Sequence, residues 1–339
     1  MTRGRALAGR RAAPEPGPAP LGGSDRRERG GLWAGALAAY FVVVWGAGYV
    51  FSRAALRDAG PITYVAVRYA LASAVAFAVF GWSARWPASR RTVAHIVVSG
   101  LLMHAVYLAA SHHAQKWGLS SAVTSLVLAL QPLATAVVAA RWLGASLSRL
   151  QLAGIGVGLA GVALVVLQRM GGGGLAGLAA NQGGVGLSLA TLVAVTIALV
   201  AITAGTLYQR AFCADVDLRA NICIQCLASA TLALPVAGAV EGFDIAWTPR
   251  LGAALAYHVL LGSIGAWTAL AWLMRRGEAT GVTSLLYLTP PVTAIVEWLV
   301  FGTVPTAVTW LGMAVACAGV AMATRPAPVS RSGRAEGIP

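Results

Sequence analysis

The chain has 339 residues, 58% of them hydrophobic and only 11% charged, with a mean hydropathy of +0.73. That balance excludes a water-soluble globular domain and makes lipid the solvent for most of the chain. A net charge of +14 and an isoelectric point near 10.8 would suit a nucleic-acid partner only if the basic residues formed a patch, and they do not.

Residues 1–31 are rich in Pro, Gly and Arg and read as a disordered basic tail. Arg10 and Arg11 are followed by PEPGPAP where a twin-arginine signal needs an apolar segment, so no cleaved targeting sequence is expected. Ten apolar runs follow, each near the roughly 20 residues that a spanning helix needs: 32–52, 61–82, 92–114, 120–142, 150–167, 185–208, 219–240, 251–273, 279–301 and 305–324. With the N-terminus in the cytoplasm, 19 of the 25 basic residues fall inside; Arg53, Arg57, Lys116, Arg169 and Arg250 lie outside, and Arg68 sits within the second run. The positive-inside rule therefore predicts an all-α polytopic membrane protein with both termini cytoplasmic, residues 325–339 forming the second tail.

An internal repeat organises the runs. AGYVFSRA (47–54) recurs as AGTLYQRA (204–211), LASA at 71–74 recurs at 227–230, VTSL at 123–126 at 282–285, and AGVA at 160–163 at 318–321. The near-constant offset predicts two five-helix repeats, 32–168 and 185–324, joined by a glycine-rich external linker at 169–184. Because five is odd, the second repeat must cross the membrane in the opposite sense, a construction that in transporters places the site near the midplane between the halves. The glycine run lacks the GK[ST] ending of a phosphate-binding loop. Cys223 and Cys226 in CIQC share a helix face with no third ligand nearby in sequence, so no metal or other cofactor is expected.

Several segments then carry a resemblance: WGAGYVFSRAAL, VAVRYALASA, LALQPLATAVVA, LYLTPPVTAIVEWLVFG, LQLAGIGVGLAGVALVV and LGMAVACAGVAMAT. In this order the chain, over about 32–324, resembles the drug/metabolite transporter superfamily, EamA type. The resemblance implies a carrier of the bacterial inner membrane, mostly an exporter of amino acids and other small metabolites. That family often has Gly-Glu after its fourth and ninth helices. Here those places read Gly144-Ala145 and Gly302-Thr303, so no role of that glutamate carries over.

Charges inside a bilayer are costly and normally face a cavity or a partner. Arg68 and Glu297 are the clear cases; both fall in the outer half of their runs, Glu297 roughly 10 Å past its helix centre at about 1.5 Å per residue. They are expected to pair, or to exchange that pair for a zwitterion, Arg68 taking a carboxylate and Glu297 an ammonium. Thr283, Tyr287, Pro290, Thr293 and Glu297 lie on one helical face, as do Thr124, Gln131 and Thr135 in the fourth run and His104, Tyr107 and Ser111 in the third. Pro132 and Pro290 interrupt their helices at matching places in the two repeats, free backbone carbonyls and are read as hinges. The candidate substrate-binding residues are Trp45, Arg68, His104, Tyr107, Gln131, Trp267, Tyr287, Thr293 and Glu297. Gly154, Gly158 and Gly161 in the fifth run, and Gly312 and Gly319 in the tenth, favour close packing, with a homodimer contact as one expectation.

The function expected is secondary transport of a small polar metabolite. The alternative is an intramembrane enzyme or a non-transporting scaffold. His258 and Ser263 are close on the eighth run but not at i, i+4 spacing, and no HExxH occurs, so no enzyme constellation is expected.

Overall fold

The computed structural model describes residues 23–142, 147–169, 188–266 and 286–324, and among them every long element is a helix. In chain order these are α1 (Gly23–Ala55), α2 (Pro61–Phe80), α3 (Arg90–Gly100), a π-helical segment (Leu101–Val106), α4 (Tyr107–Lys116), α5 (Ser121–Leu128), α6 (Gln131–Trp142) and α7 (Arg149–Arg169). After the linker come α8 (Leu189–Phe212), α9 (Leu218–Glu241), α10 (Pro249–Ala256), a second π segment (Tyr257–Ala266), a 3-10 turn (Leu286–Leu288), α11 (Thr289–Phe301) and α12 (Ala307–Ala323).

The helix ends follow local chemistry. Ser120, Ser188, Asp217, Thr248 and Thr306 each accept a bond from a free backbone N–H of the helix that follows, as N-caps do. Pro61 and Pro249 occupy first-turn positions, where a missing N–H costs nothing. Gly242 and Gly302 end α9 and α11 at φ of 61° and 67°, a conformation that a side chain would strain.

Among the described residues, seven helical stretches are long and apolar enough to cross a bilayer, counting α3 to α4 as one and α5 to α6 as another. At 13 and 17 residues, α11 and α12 are shorter, and the second π segment leads into 267–285, outside the described residues. The fourth run is not one rod: it turns at Ala129–Leu130 between α5 and α6, and Pro132 follows in the first turn of α6. Nor is the basic stretch structureless to residue 31, since α1 starts at Gly23, where SDRRER supplies mostly good helix formers.

Packing joins elements from opposite sides of the linker: α2 on α9, α4 on α8, α1 on α11 and on the second π segment, α5 on α11, and α7 on α12. The last pair uses the glycine stripes. A Cβ at Gly154 would stand 2.7 Å from the Gly319 carbonyl oxygen, and one at Gly161 would stand 2.6 Å from that of Gly312. The stripes that suggested a homodimer are thus filled within one chain. Leu126, Val165, Val195, Ala294 and Met313 form one buried core where α5, α7, α8, α11 and α12 meet; Val65, Ala72, Ala198, Cys223 and Ala230 form another between α2, α8 and α9.

Candidate functional site

Beside the second of these cores, whose Tyr69, Tyr107, Ile222 and Cys226 line it, lies a cavity of about 200 Å³. Trp45 and Tyr49 reach it from α1, Arg68 and Tyr69 from α2, His104 from the first π segment, Tyr107 from α4, and Tyr257 and His258 from the second π segment. A side chamber of about 60 Å³ adjoins it, lined by Gln131, Pro132, Tyr287 and Thr289. Tyr49 and Tyr107 line both spaces, and their hydroxyls are 3.1 Å apart.

Arg68 is the cation of the cavity. Its buried Nε has no hydrogen-bond partner, and its guanidinium stands 5.4 Å from the centre of the Tyr69 ring. Among the described residues it forms no ion pair. An uncompensated guanidinium in a low-dielectric cavity is an anion site, since its planar fork matches a carboxylate with two parallel donors.

The expected pairing of Arg68 with Glu297 is not what forms. Glu297 is 2% exposed; it accepts a bond from Arg53 and from the backbone N–H groups of Ser121 at 3.0 Å and Ala122 at 2.9 Å. The positive end of α5 and the last-turn arginine of α1 hold the carboxylate, and both are nearer the helix ends than Arg68. Glu297 therefore joins α1, α5 and α11 and does not line the cavity. Thr293 is also spent on packing: its hydroxyl lies 3.0 Å from the Gly46 carbonyl and 2.8 Å from that of Thr289.

The remaining candidates divide simply. Trp45, Arg68, His104 and Tyr107 meet in the main cavity, and Gln131, Tyr287 and Pro132 meet in the side chamber. Gln131 donates to Thr206 at 2.9 Å. Pro290 stands in the first turn of α11, and the carbonyl of Tyr287 just before it accepts from the Cys317 thiol at 3.0 Å. Trp267 lies outside the described residues.

Helical spacing within single runs did not point to the polar wall around His258. Its Nδ1 is 2.8 Å from the Tyr64 hydroxyl and 2.9 Å from the Ala254 carbonyl. Its Nε2 is 3.3 Å from the Ser52 hydroxyl and 3.1 Å from the Gly48 carbonyl. Ser52 in turn lies 3.2 Å from His112 Nε2. Every bond here except that to Ala254 crosses between helices. On the other side of the cavity, His104 Nε2 meets Gln225 Oε1 at 3.2 Å.

The turn after α1 and the segment between α9 and α10 are tied together across the two parts of the chain. Asp58 receives Arg250 Nε at 2.7 Å, Arg250 Nη2 at 2.5 Å and the Thr248 hydroxyl at 2.8 Å. Ala59 and Ile245 form an antiparallel bridge, and Glu241 accepts from Ile62 N, Thr63 N and the Thr63 hydroxyl. The Arg250 bonds pull the Asp58 carboxyl down to about 2, with help from the Thr248 hydroxyl and from the charges of Arg250 and Arg57, against a smaller opposing effect of burial.

Comparison with known proteins decides the family. A model of the EamA-like transporter family matches residues 32–167 and again 187–325. The chain belongs to the EamA-like transporter family. YedA of Escherichia coli (strain K12), described as an uncharacterized inner membrane transporter, is 26% identical over 292 residues, covering 86% of this chain and 90% of YedA. YvbV of Bacillus subtilis (strain 168), described as an uncharacterized transporter, is 26% identical over 264 residues, covering 76% and 81%. A solved crystal structure shares the fold, with a TM-score of 0.58 at 20% identity over 86% of this chain and 96% of its own. As an EamA-like transporter the chain is a multi-pass membrane protein, and its cavity is the natural place to look for a transported molecule.

Proposed function

We propose that this chain is a secondary transporter that exports a small polar metabolite bearing a carboxylate, such as an amino acid or an analogue, across the bacterial inner membrane by alternating access. The observation that carries the reading is Arg68, a half-buried cation whose buried Nε has no partner and which has no counter-ion among the described residues, in a cavity lined from both parts of the chain. At about 200 Å³ the space is smaller than the roughly 300–1,000 Å³ typical of drug-sized sites, which favours a small solute. Arg68 takes the carboxylate, Trp45 and Tyr107 supply an aromatic wall, and Gln131 and Tyr287 face a side group entering the second chamber.

Ten spanning helices in two inverted five-helix repeats suit this mechanism. Two features support that architecture: the family match falls in two ranges of similar length, and the π segments lie at comparable places in each, 101–106 and 257–266. Rocking one repeat against the other exposes the cavity alternately to the two sides.

The test is overexpression in bacteria challenged with individual amino acids, their analogues and other toxic small molecules. Protection against at least one carboxylate-bearing compound is expected, and Arg68→Gln should remove it with the amount of membrane-inserted protein unchanged. Protection confined to compounds without a carboxylate, or undiminished in Arg68→Gln, defeats the reading.

A further inference from the structure

The bonds around His258 point to a second ligand of the cavity, a proton. His258 is 4% exposed, and each ring nitrogen faces a backbone carbonyl: Nδ1 faces Ala254 O at 2.9 Å, and Nε2 faces Gly48 O at 3.1 Å. A neutral imidazole has one donor and one lone pair, so whichever tautomer forms, one carbonyl meets a lone pair. The ring then relies on the Tyr64 or Ser52 hydroxyl to supply a donor to that nitrogen. Only the imidazolium donates to both carbonyls.

The groups facing His258 set when that form is possible. From α2 come Tyr64 and Arg68, from α1 Ser52, from α4 His112 bridged through Ser52, and from its own segment Tyr257. No carboxylate is among them, because Glu241 is bonded to Ile62 and Thr63 and Glu297 to Arg53, Ser121 and Ala122. Among the described residues, the only fixed charge that faces the ring is the uncompensated Arg68. Two cations at close quarters in a poorly solvated cavity repel strongly.

We propose that His258 is a proton-binding site that fills together with the substrate carboxylate: an anion on Arg68 removes the repulsion, and the imidazole then takes the proton for which its two carbonyls are already placed. This rests on the carboxylate reading of Arg68. Binding of either ligand favours the other, as any coupling between two sites must be reciprocal. Proton and solute therefore cross together, and export runs down the solute's own gradient, carrying a proton out with it. Ser52 and His112 extend the wall as a relay, with hydroxyl and imidazole able to pass a proton along 3.3 Å and 3.2 Å contacts.

The experiment uses the full-length protein in proteoliposomes, with L-threonine and 3-hydroxybutanoate as radiolabelled probes, and protein-free vesicles subtracted as leak. One probe keeps the ammonium and the other lacks it. Expected is counterflow of at least one probe, and in the wild type an accumulation driven by an imposed pH gradient, up to about tenfold per pH unit for one proton per solute. His258→Gln should abolish the pH-driven accumulation while counterflow persists with a weaker half-saturating concentration that no longer changes with pH, a split that a merely structural role of the ring would not give. Wild-type counterflow that ignores the gradient, or pH-driven accumulation that survives His258→Gln, overturns the proton site. Arg68→Gln counterflow at the wild-type rate, or no movement of either probe by the wild type, overturns the carboxylate reading and the coupling built on it.

Discussion

Arg250 holds Asp58 with two parallel donors, Nε on one carboxylate oxygen at 2.7 Å and Nη2 on the other at 2.5 Å, across 192 positions of sequence. The pair clamps the turn after α1 to the start of α10, beside the bridge between Ala59 and Ile245. With the folded carboxyl held at about 2 and an unfolded aspartate near 3.9, its stabilising contribution is full above about pH 4 and disappears as pH falls towards 2. Melting of the detergent-solubilised protein should show that loss between pH 4 and 2. Asp58→Asn should melt lower at pH 6 and lack this part of the acid dependence.

Glu297→Gln should act on stability and leave recognition alone. The carboxylate neutralises Arg53 and accepts two backbone donors at the start of α5. Breaking a buried ion pair costs about 3–5 kcal/mol; Arg53 is partly exposed, so about 2 kcal/mol is expected here. Thermal melting should show a clear fall, while the half-saturating solute concentration stays within about twofold. A large change in solute affinity with unchanged melting would return Glu297 to the binding site.

Gly161→Val tests the contact between α7 and α12. The added side chain must displace the backbone around Gly312 and Ala316, and overpacking of this kind costs about 1–3 kcal/mol. Less monodisperse protein is expected on size exclusion. Gly156→Val, on the same helix with open space beside it, should leave the yield unchanged.

The proline positions separate transport from folding. Pro132 follows the turn at Ala129–Leu130 and lines the side chamber; Pro290 follows the 3-10 turn whose Tyr287 carbonyl is held by Cys317. Pro132→Ala, and Pro290→Ala combined with Pro291→Ala because Pro291 alone would keep the second break, let the backbone rejoin, and flux should fall by about tenfold relative to the amount of folded protein. Normal flux in both variants would remove the argument that these breaks shape the site.

Reporter fusions check the orientation. Those placed after Arg91, Arg149, Arg219 and Arg276 should report cytoplasm, and those near Asp244 and within 171–184 should report the outside. A cytoplasmic reading for 171–184 excludes the inverted arrangement.

Much of the cavity wall was legible because lipid makes polarity expensive. Arg68, His104 and Tyr107 stood out as polar groups inside apolar runs, and all three face the cavity. The partner of Glu297 was not legible: depth along a helix cannot distinguish Arg68 from Arg53, and the deciding donors, the backbone N–H groups of Ser121 and Ala122, leave no trace in residue type. For the same reason the glycines of α7 and α12 announced close packing without naming their partner as the same chain. The surroundings of His258 stayed hidden because they are assembled from α1, α2 and α4, whereas periodicity reads one helix at a time. Nothing in LLMHAV or YHVLLGSIGA signals a π turn.

Those π turns have a mechanical consequence. A π turn is an α-helix holding one residue more than its pitch accommodates, and the surplus can travel: trading i→i+5 for i→i+4 bonds on one side moves it along the rod. Each residue that it passes swings about 100° around the axis, the angle between successive residues at 3.6 per turn. His104 rides on one such segment and His258 on the other. Both imidazoles are therefore mounted where the rod has slack, so a shift of a single residue can re-aim them without unwinding the helices that span the membrane.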